Sequence, residues 1–357
     1  MLPLKPNPSR CHPRIVTFVY SAALLAFVAP AHSQTCQTDA DLDAPTHSAI
    51  EAAANKYFAL AAKGDTATLQ QNSIPSVANT FSGISDAVHD HQADFSRAQA
   101  TTRSLFQLTA AGSANVERAE FLCGVFGKSG QTASSAVFVL NDLPPGAYAI
   151  AILDVKNDVK TDAKNDTGKP VPNLNSTFTA AFILQQLDSV WKLGGFYVKP
   201  TTTAGHDSTW FVDRAHAFVT KTQSHNAWFY LLEARNLATI VPFMSTRETD
   251  RLYDESQKLL SPDAPEGFPS TLTAAGQTYK VKSLFAYGVA GELNLVIKYD
   301  YPDISNTVQA YAANQAVAKA LLAKWPELRA GFGAIVARAT DPAGKDFGTL
   351  VPLKDLP

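Results

Sequence analysis

Between residues 178 and 199 apolar positions alternate with others in two runs that meet at Asp188-Ser189. Phe178, Ala180, Phe182 and Leu184 share one face of the first run, and Trp191 and Leu193 continue it on the second, which predicts a β-hairpin. Upstream, over 46–63, Ile50, Ala53, Ala54, Tyr57, Phe58 and Ala61 recur at three- and four-residue steps, the spacing of an amphipathic helix. Gly64 ends that helix, and Asp65 is placed to cap a short second one over 66–71. A third helix is expected over 84–110, burying Val88, Phe95, Leu105, Phe106 and Leu108. Strand-like runs follow at 116–126, 133–140, 147–155, 177–187 and 190–198, with Pro144-Pro145-Gly146 as punctuation. Gly194-Gly195 inside the last run predicts a bulge or bend. Three helices followed by a five-stranded antiparallel sheet is an α+β layout.

Past Pro200 and Thr201-Thr202-Thr203, the span 206–260 is patterned as short helices carrying Trp210, Phe218, Trp228, Leu231 and Leu252. A Pro-rich linker at 262–269 precedes strands expected at 279–287 and 292–299. A helix is expected over 305–323, then strands at 332–339 and 347–352. On that helix Val308, Tyr311, Ala312, Gln315, Ala318 and Leu322, with Trp325 beyond, follow helical spacing. The tail therefore predicts a two-layer ββαββ unit.

The extreme N-terminus changes the account of destination. Lys5, Arg10 and Arg14 precede an apolar run of 15 residues from 15 to 29, and Ala31-His32-Ser33 follows. This is the form of a signal peptide cleaved after Ser33, and the run is shorter than the ~18–20 residues a spanning helix needs. The expected division is 1–33 leader, 34–200 α+β domain, 201–265 helical connector and 266–357 C-terminal domain. Loss of the three leader cations takes the 30 basic residues to 27 against 32 acidic ones, a net charge of −5. That balance argues against a nucleic-acid partner. Of the three cysteines, Cys11 leaves with the leader, so Cys36 and Cys123 are the expected disulfide of a secreted or periplasmic protein.

Few residues combine into catalytic patterns. Gly127-Lys128-Ser129 ends like a phosphate-binding loop, but Leu122 stands where its first glycine belongs. Gly83-Ile84-Ser85-Asp86-Ala87 lacks the last glycine and the preceding strand of a nucleophile elbow, so Ser85 is read as lying near a helix start. Asp86, His89 and Asp90 share a helix face; His91 points away from it. Asp213 and His216 form a similar pair that His206 could join. None of these sets predicts a metal, and no cofactor is expected. Asn165-Asp166-Thr167 and Asn175-Ser176-Thr177 fit the glycosylation pattern.

The stretch YFALAAKGDTATLQ, the expected long third helix and a closing hairpin ending WKLGGFYV together resemble the NTF2-like superfamily over about residues 45–199. The resemblance implies a helical layer on a strongly bent sheet, enclosing a cone-shaped cavity. In such a cone Asp154, on one face with Tyr148, Ile150 and Ile152, is the candidate general base, with Tyr148 its acid/base companion. The position of Asp154 at the strand's end favours the rim instead, beside a charged loop. Trp191, Phe196, Tyr197, Tyr57 and Phe106 are the aromatics such a cavity would use. The expected function is a non-catalytic binding or scaffolding protein for an unknown protein or small apolar ligand, the alternative an enzyme acting in the cone. A homodimer through the sheet face is a further expectation.

Overall fold

A computed structural model describes residues 34–125, 135–157, 176–259, 270–289 and 291–357. The leader, Gly127-Lys128-Ser129, both glycosylation asparagines and the 262–269 linker lie outside the described residues. Helix α1 (Ala44–Lys63) begins where the Asp43 carboxylate accepts the Thr46 N–H at 2.7 Å, and it stops at Gly64, which adopts φ 71°. Its buried face is Ile50, Ala54, Tyr57, Phe58 and Ala61, as the spacing predicts. Asp65 caps α2 (Thr66–Gln71), and the single turn α3 (Pro75–Ala78) follows.

The expected helix over 84–110 is two elements. Helix α4 (Ser82–Phe95) buries Val88 and Phe95, with Ser85 in its first turn. The rest is strand β2 (Gln99–Ala110), which carries Leu105, Phe106 and Leu108. Leu105 faces the helices while Phe106 and Leu108 face the opposite side. A strand buried on both faces loses its polar–apolar alternation, so three-residue spacings arise in it by chance. The helical layer therefore has four helices, not three.

The expected sheet membership also changes. Strands β1 (Gln34–Thr38), β2, β5 (Gly146–Asn157), β6 (Ser176–Leu187) and β7 (Val190–Pro200) form an antiparallel sheet in the order β1-β2-β5-β6-β7. Strands β3 (Val116–Cys123) and β4 (Ala136–Leu143) leave it and pair with β8 (Met244–Thr246) in a second, three-stranded sheet. The physical reason is visible along β5. Ala149, Ala151, Leu153 and Val155 pack against α1–α4, whereas Tyr148, Ile150 and Ile152 pack against the second sheet. The Cys36–Cys123 disulfide, with Cα atoms 5.1 Å apart, ties β1 to the end of β3.

The β6–β7 hairpin closes through Asp188 and Ser189, both in the left-handed region at φ 49° and 66°. Ile183 pairs with Gly195 and Leu184 with Leu193, so Gly194 is the extra residue of a bulge.

Helices α5 (Ser208–Val219), α6 (Ser224–Ala238) and α7 (Arg247–Lys258) share one core with the C-terminal sheet. That sheet has five strands: β9 (Ser270–Ala274), β10 (Gln277–Val289), β11 (Glu292–Asp300), β12 (Ala334–Thr340) and β13 (Asp346–Pro352). Its order is β13-β12-β11-β10-β9, with β11 and β12 parallel across the crossover helix α8 (Thr307–Lys324). The unit is thus βββαββ and not ββαββ, because the short strand β9 precedes the predicted pair. The buried face of α8 is Ala310, Ala313, Asn314, Val317, Ala318, Leu321 and Leu322, so the expected Val308, Tyr311 and Ala312 point outward. An alanine-rich helix has little hydrophobic contrast around its circumference, and the phase is set by Asn314. That amide accepts from the Tyr299 hydroxyl at 2.7 Å and donates to Thr349 Oγ1 at 2.9 Å.

Candidate functional site

The space between α1–α4 and the first sheet is packed with rings. Phe182 lies 4.9 Å from Phe196 and 6.4 Å from Tyr57, and Phe95 lies 5.4 Å from Phe58 and 5.9 Å from Phe178, centroid to centroid. The Tyr57 hydroxyl donates to the Trp191 carbonyl at 2.9 Å, which fixes the first helix to the last strand of the sheet. Of the expected cavity aromatics, Tyr57, Trp191 and Phe196 belong to this packed layer. Phe106 lies on the other side of the sheet against Phe138, and Tyr197 stands edge-on to Phe243.

Asp154 and Tyr148 also face away from the helices, toward the side of the second sheet. The Asp154 carboxylate accepts from Arg103 Nε at 2.8 Å and pairs with Nη2 of the same guanidinium, which also donates to Thr179 Oγ1 at 2.9 Å. Arg103 reaches it from the irregularity in β2 between Thr102 and Ser104. Burial raises the Tyr148 phenol above its ordinary range, and its hydroxyl donates to the Pro144 carbonyl at 2.7 Å. Six residues of strand put the two candidates about 20 Å apart along β5. One small substrate could not engage both, so the structure does not assemble them into one site.

The histidine sets likewise disperse. His91 stacks on Phe95 at 5.6 Å, and His206 stacks on Trp210 at 3.6 Å. His216 pairs with Glu255 of α7 rather than with Asp213. Among the described residues no three His, Cys, Asp or Glu side chains converge as metal ligands, Asp86, His89 and Asp90 included.

Among the described residues, two larger clefts open at the surface instead. One, of about 530 Å³, lies where the end of β7 meets the C-terminal end of α6, lined by Tyr197, Lys199, Arg235, Asn236 and Val241 among others. Lys199 and Asn236 of its lining belong to a polar network around the buried Glu233. The Thr203 hydroxyl donates to Glu233 at 2.5 Å, and the Asn236 amide donates to the other Glu233 oxygen at 3.3 Å. Lys199 donates to Asn236 Oδ1 at 3.0 Å and to the Thr239 carbonyl at 2.9 Å, capping the negative end of the helix. Burial pushes the Glu233 carboxyl above its usual range, opposed by its hydrogen bonds from Thr203 and Asn236 and by the charge of Lys199. Burial lowers Lys199, opposed by Glu233. Sequence reasoning missed this network. Its one legible signal is Glu233 itself, an acid set three and four residues beyond Tyr230 and Phe229 on the buried face of a helix.

The second cleft, of about 620 Å³, opens at the end of the C-terminal sheet, between the starts of β11 and β12 and the end of β13. Gly333 makes room there, since a Cβ on it would stand 2.4 Å from a Glu292 carboxylate oxygen. No family model, curated protein or solved structure matches the chain.

Proposed function

We propose that the chain is a binding or scaffolding protein that acts outside the cytoplasm without catalysing a reaction, its first half an NTF2-like domain. One observation carries the reading. The layer between helices and sheet, where a cone would hold a small substrate, is filled by Tyr57, Phe58, Phe95, Phe182 and Phe196, while the two larger clefts lie at the surface, one where β7 meets α6 and one at the end of the C-terminal sheet. Recognition then falls to surface features, which suit a macromolecular partner better than a small apolar ligand. A signal peptide ending at Ser33 would deliver the chain to an oxidising compartment. The Cys36–Cys123 disulfide is compatible with that destination, and no described helix is long and apolar enough to cross a membrane.

Native mass spectrometry of the protein isolated from its own extracytoplasmic fraction tests the reading. The expected result is retention of a polypeptide partner. A small apolar molecule released only on denaturation would overturn it in favour of an interior ligand site.

A further inference from the structure

Among the described residues the helices of the second half pack on one face of the C-terminal sheet. α8 and α5–α7 pack on the side bearing Leu295, Ile297, Tyr299, Ile335, Ala337 and Ala339. On the other side the strand register sets Phe285, Val296, Val336 and Leu350 opposite one another, a single apolar row across β10, β11, β12 and β13. Phe285 and Leu350, at the two ends of the row, are 39% and 47% exposed and Val296 between them is 4% exposed, while Tyr287, two residues along β10, is 58% exposed. A solvated sheet face ordinarily alternates to polar side chains, whereas parallel strands are ordinarily buried on both faces and carry continuous apolar runs. The parallel pair has such runs, Leu295-Val296-Ile297 in β11 and Ile335-Val336-Ala337 in β12. The row therefore has the composition of a covered surface.

Charge surrounds the row. Lys298 and Arg338 stand beside it in register, and Lys280 and Lys282 lie farther along β10. At the opposite end the 620 Å³ cleft carries Arg329, Lys354 and Glu292, with Leu350 and Pro352 joining it to the row. Asp300 is paired with Lys282 at 2.6 Å, and Asp346 with Arg338 at 2.5 Å and with Lys298 at 3.8 Å, while Arg329 donates to the Leu356 carbonyl at 3.0 Å. Six basic residues against the three acids Glu292, Asp300 and Asp346 give this face a net charge of +3, on a chain whose total is −2.

Resting on the binding-protein reading, we propose that this face receives an acidic amphipathic helix of a protein partner. Four strands about 4.8 Å apart span about 14 Å, the length of about ten helical residues. A helix is also the element that already covers the sheet's other face. Its apolar stripe lies along Phe285–Leu350, a large side chain enters the cleft beside Leu350, and its carboxylates meet Lys298 on one flank and Lys354 on the other. A second copy of the chain is disfavoured, because two faces of net charge +3 would oppose each other.

The test uses the full mature chain and a fluorescein-labelled helical peptide of about 18 residues, with Leu and Phe on one stripe and Glu on both flanks. Controls are the same peptide with Lys for Glu, and phosphatidylglycerol vesicles. By fluorescence anisotropy the Glu peptide is expected to bind and the Lys peptide not to. Leu350→Glu, and separately the pair Lys298→Glu with Lys354→Glu, are each expected to weaken binding about tenfold. Raising salt from about 50 to about 300 mM is expected to weaken it as well. Tyr287→Glu is the second variant should Leu350→Glu fail to melt like the parent chain. Failure of the Glu peptide to bind, equal binding by the variants, or preference for the vesicles overturns the proposal. The broader reading fails separately: it falls if native mass spectrometry finds no partner. If a partner is retained undiminished by Leu350→Glu and Tyr287→Glu, the binding reading stands and this face is not its site.

Discussion

At Glu233 three groups offset the burial of a single carboxyl: the Thr203 hydroxyl, the Asn236 amide and, through space, the Lys199 ammonium. The folded chain holds the Glu233 proton to higher pH than the unfolded chain does. Its contribution to stability is therefore fullest below the ordinary carboxyl range and is lost as pH rises from there through the raised value. Glu233→Gln is expected to shrink the difference in urea-unfolding free energy between about pH 5 and about pH 8; an unchanged pH profile would place the proton elsewhere. Asp154 behaves differently. Its partner Arg103 and its own side chain are each more than a third exposed, so the pair is screened by solvent. Asp154→Asn is expected to cost about 1 kcal/mol or less, read by the same denaturation. Sequence spacing correctly groups Asp154 with Tyr148 on one face, but which side of the sheet that face meets is a property of packing.

Among the elements, β7 and its turn were the most legible. Gly194-Gly195 predicts an irregularity, and pairing shows Gly194 as the bulged residue, yet the two glycines are not equivalent. A Cβ on Gly194 would meet only ordinary contacts at 3.4 Å and beyond, whereas one on Gly195 would press on Ile183 Cγ1 at 3.2 Å. Gly195→Ala is expected to destabilise by about 1 kcal/mol through overpacking, and Gly194→Ala to be near neutral. Thermal melts of the two variants check the order, and the reverse order would mean the bulge itself requires Gly194. In the turn, Ser189 occupies a left-handed conformation that glycine adopts without penalty, so Ser189→Gly is expected to stabilise by about 1 kcal/mol. The 84–110 stretch was the least legible element. Leu105, Phe106 and Leu108 satisfy a helical spacing, and only the presence of a packed layer on each side of β2 makes them a strand.

For the whole molecule, α5–α7 and the C-terminal sheet are one energetic unit. Phe332 lies between them, with its ring centroid 5.9 Å from those of both Phe229 and Tyr230 of α6. Phe332→Ala is expected to cost about 3–5 kcal/mol and to accelerate amide exchange in α6 and β12 together. Acceleration confined to one of them would separate the units. The disulfide acts across the first half, closing a separation of 87 residues between the edge of one sheet and the end of a strand in the other. Replacing both cysteines by serine is expected to lower the unfolding free energy by about 2–4 kcal/mol, measured in urea under non-reducing conditions.

The amino-acid sequence by itself determined what depends on near neighbours along the chain. Asp65 caps its helix, Gly64 ends the one before it and Asp188-Ser189 turns a hairpin, each through interactions spanning a few residues. It also indicated the α+β class and the expectation that Cys36 and Cys123 pair, and the structure bears out both. Tertiary structure alone decided which strands pair, because alternation specifies the faces of a strand but not its neighbour. β3 and β4 read like members of the first sheet, and they leave it because both faces of β5 are apolar and require cover. Among the described residues Phe285 and Leu350 stay exposed at the ends of an apolar row that is legible only once four strands stand in register.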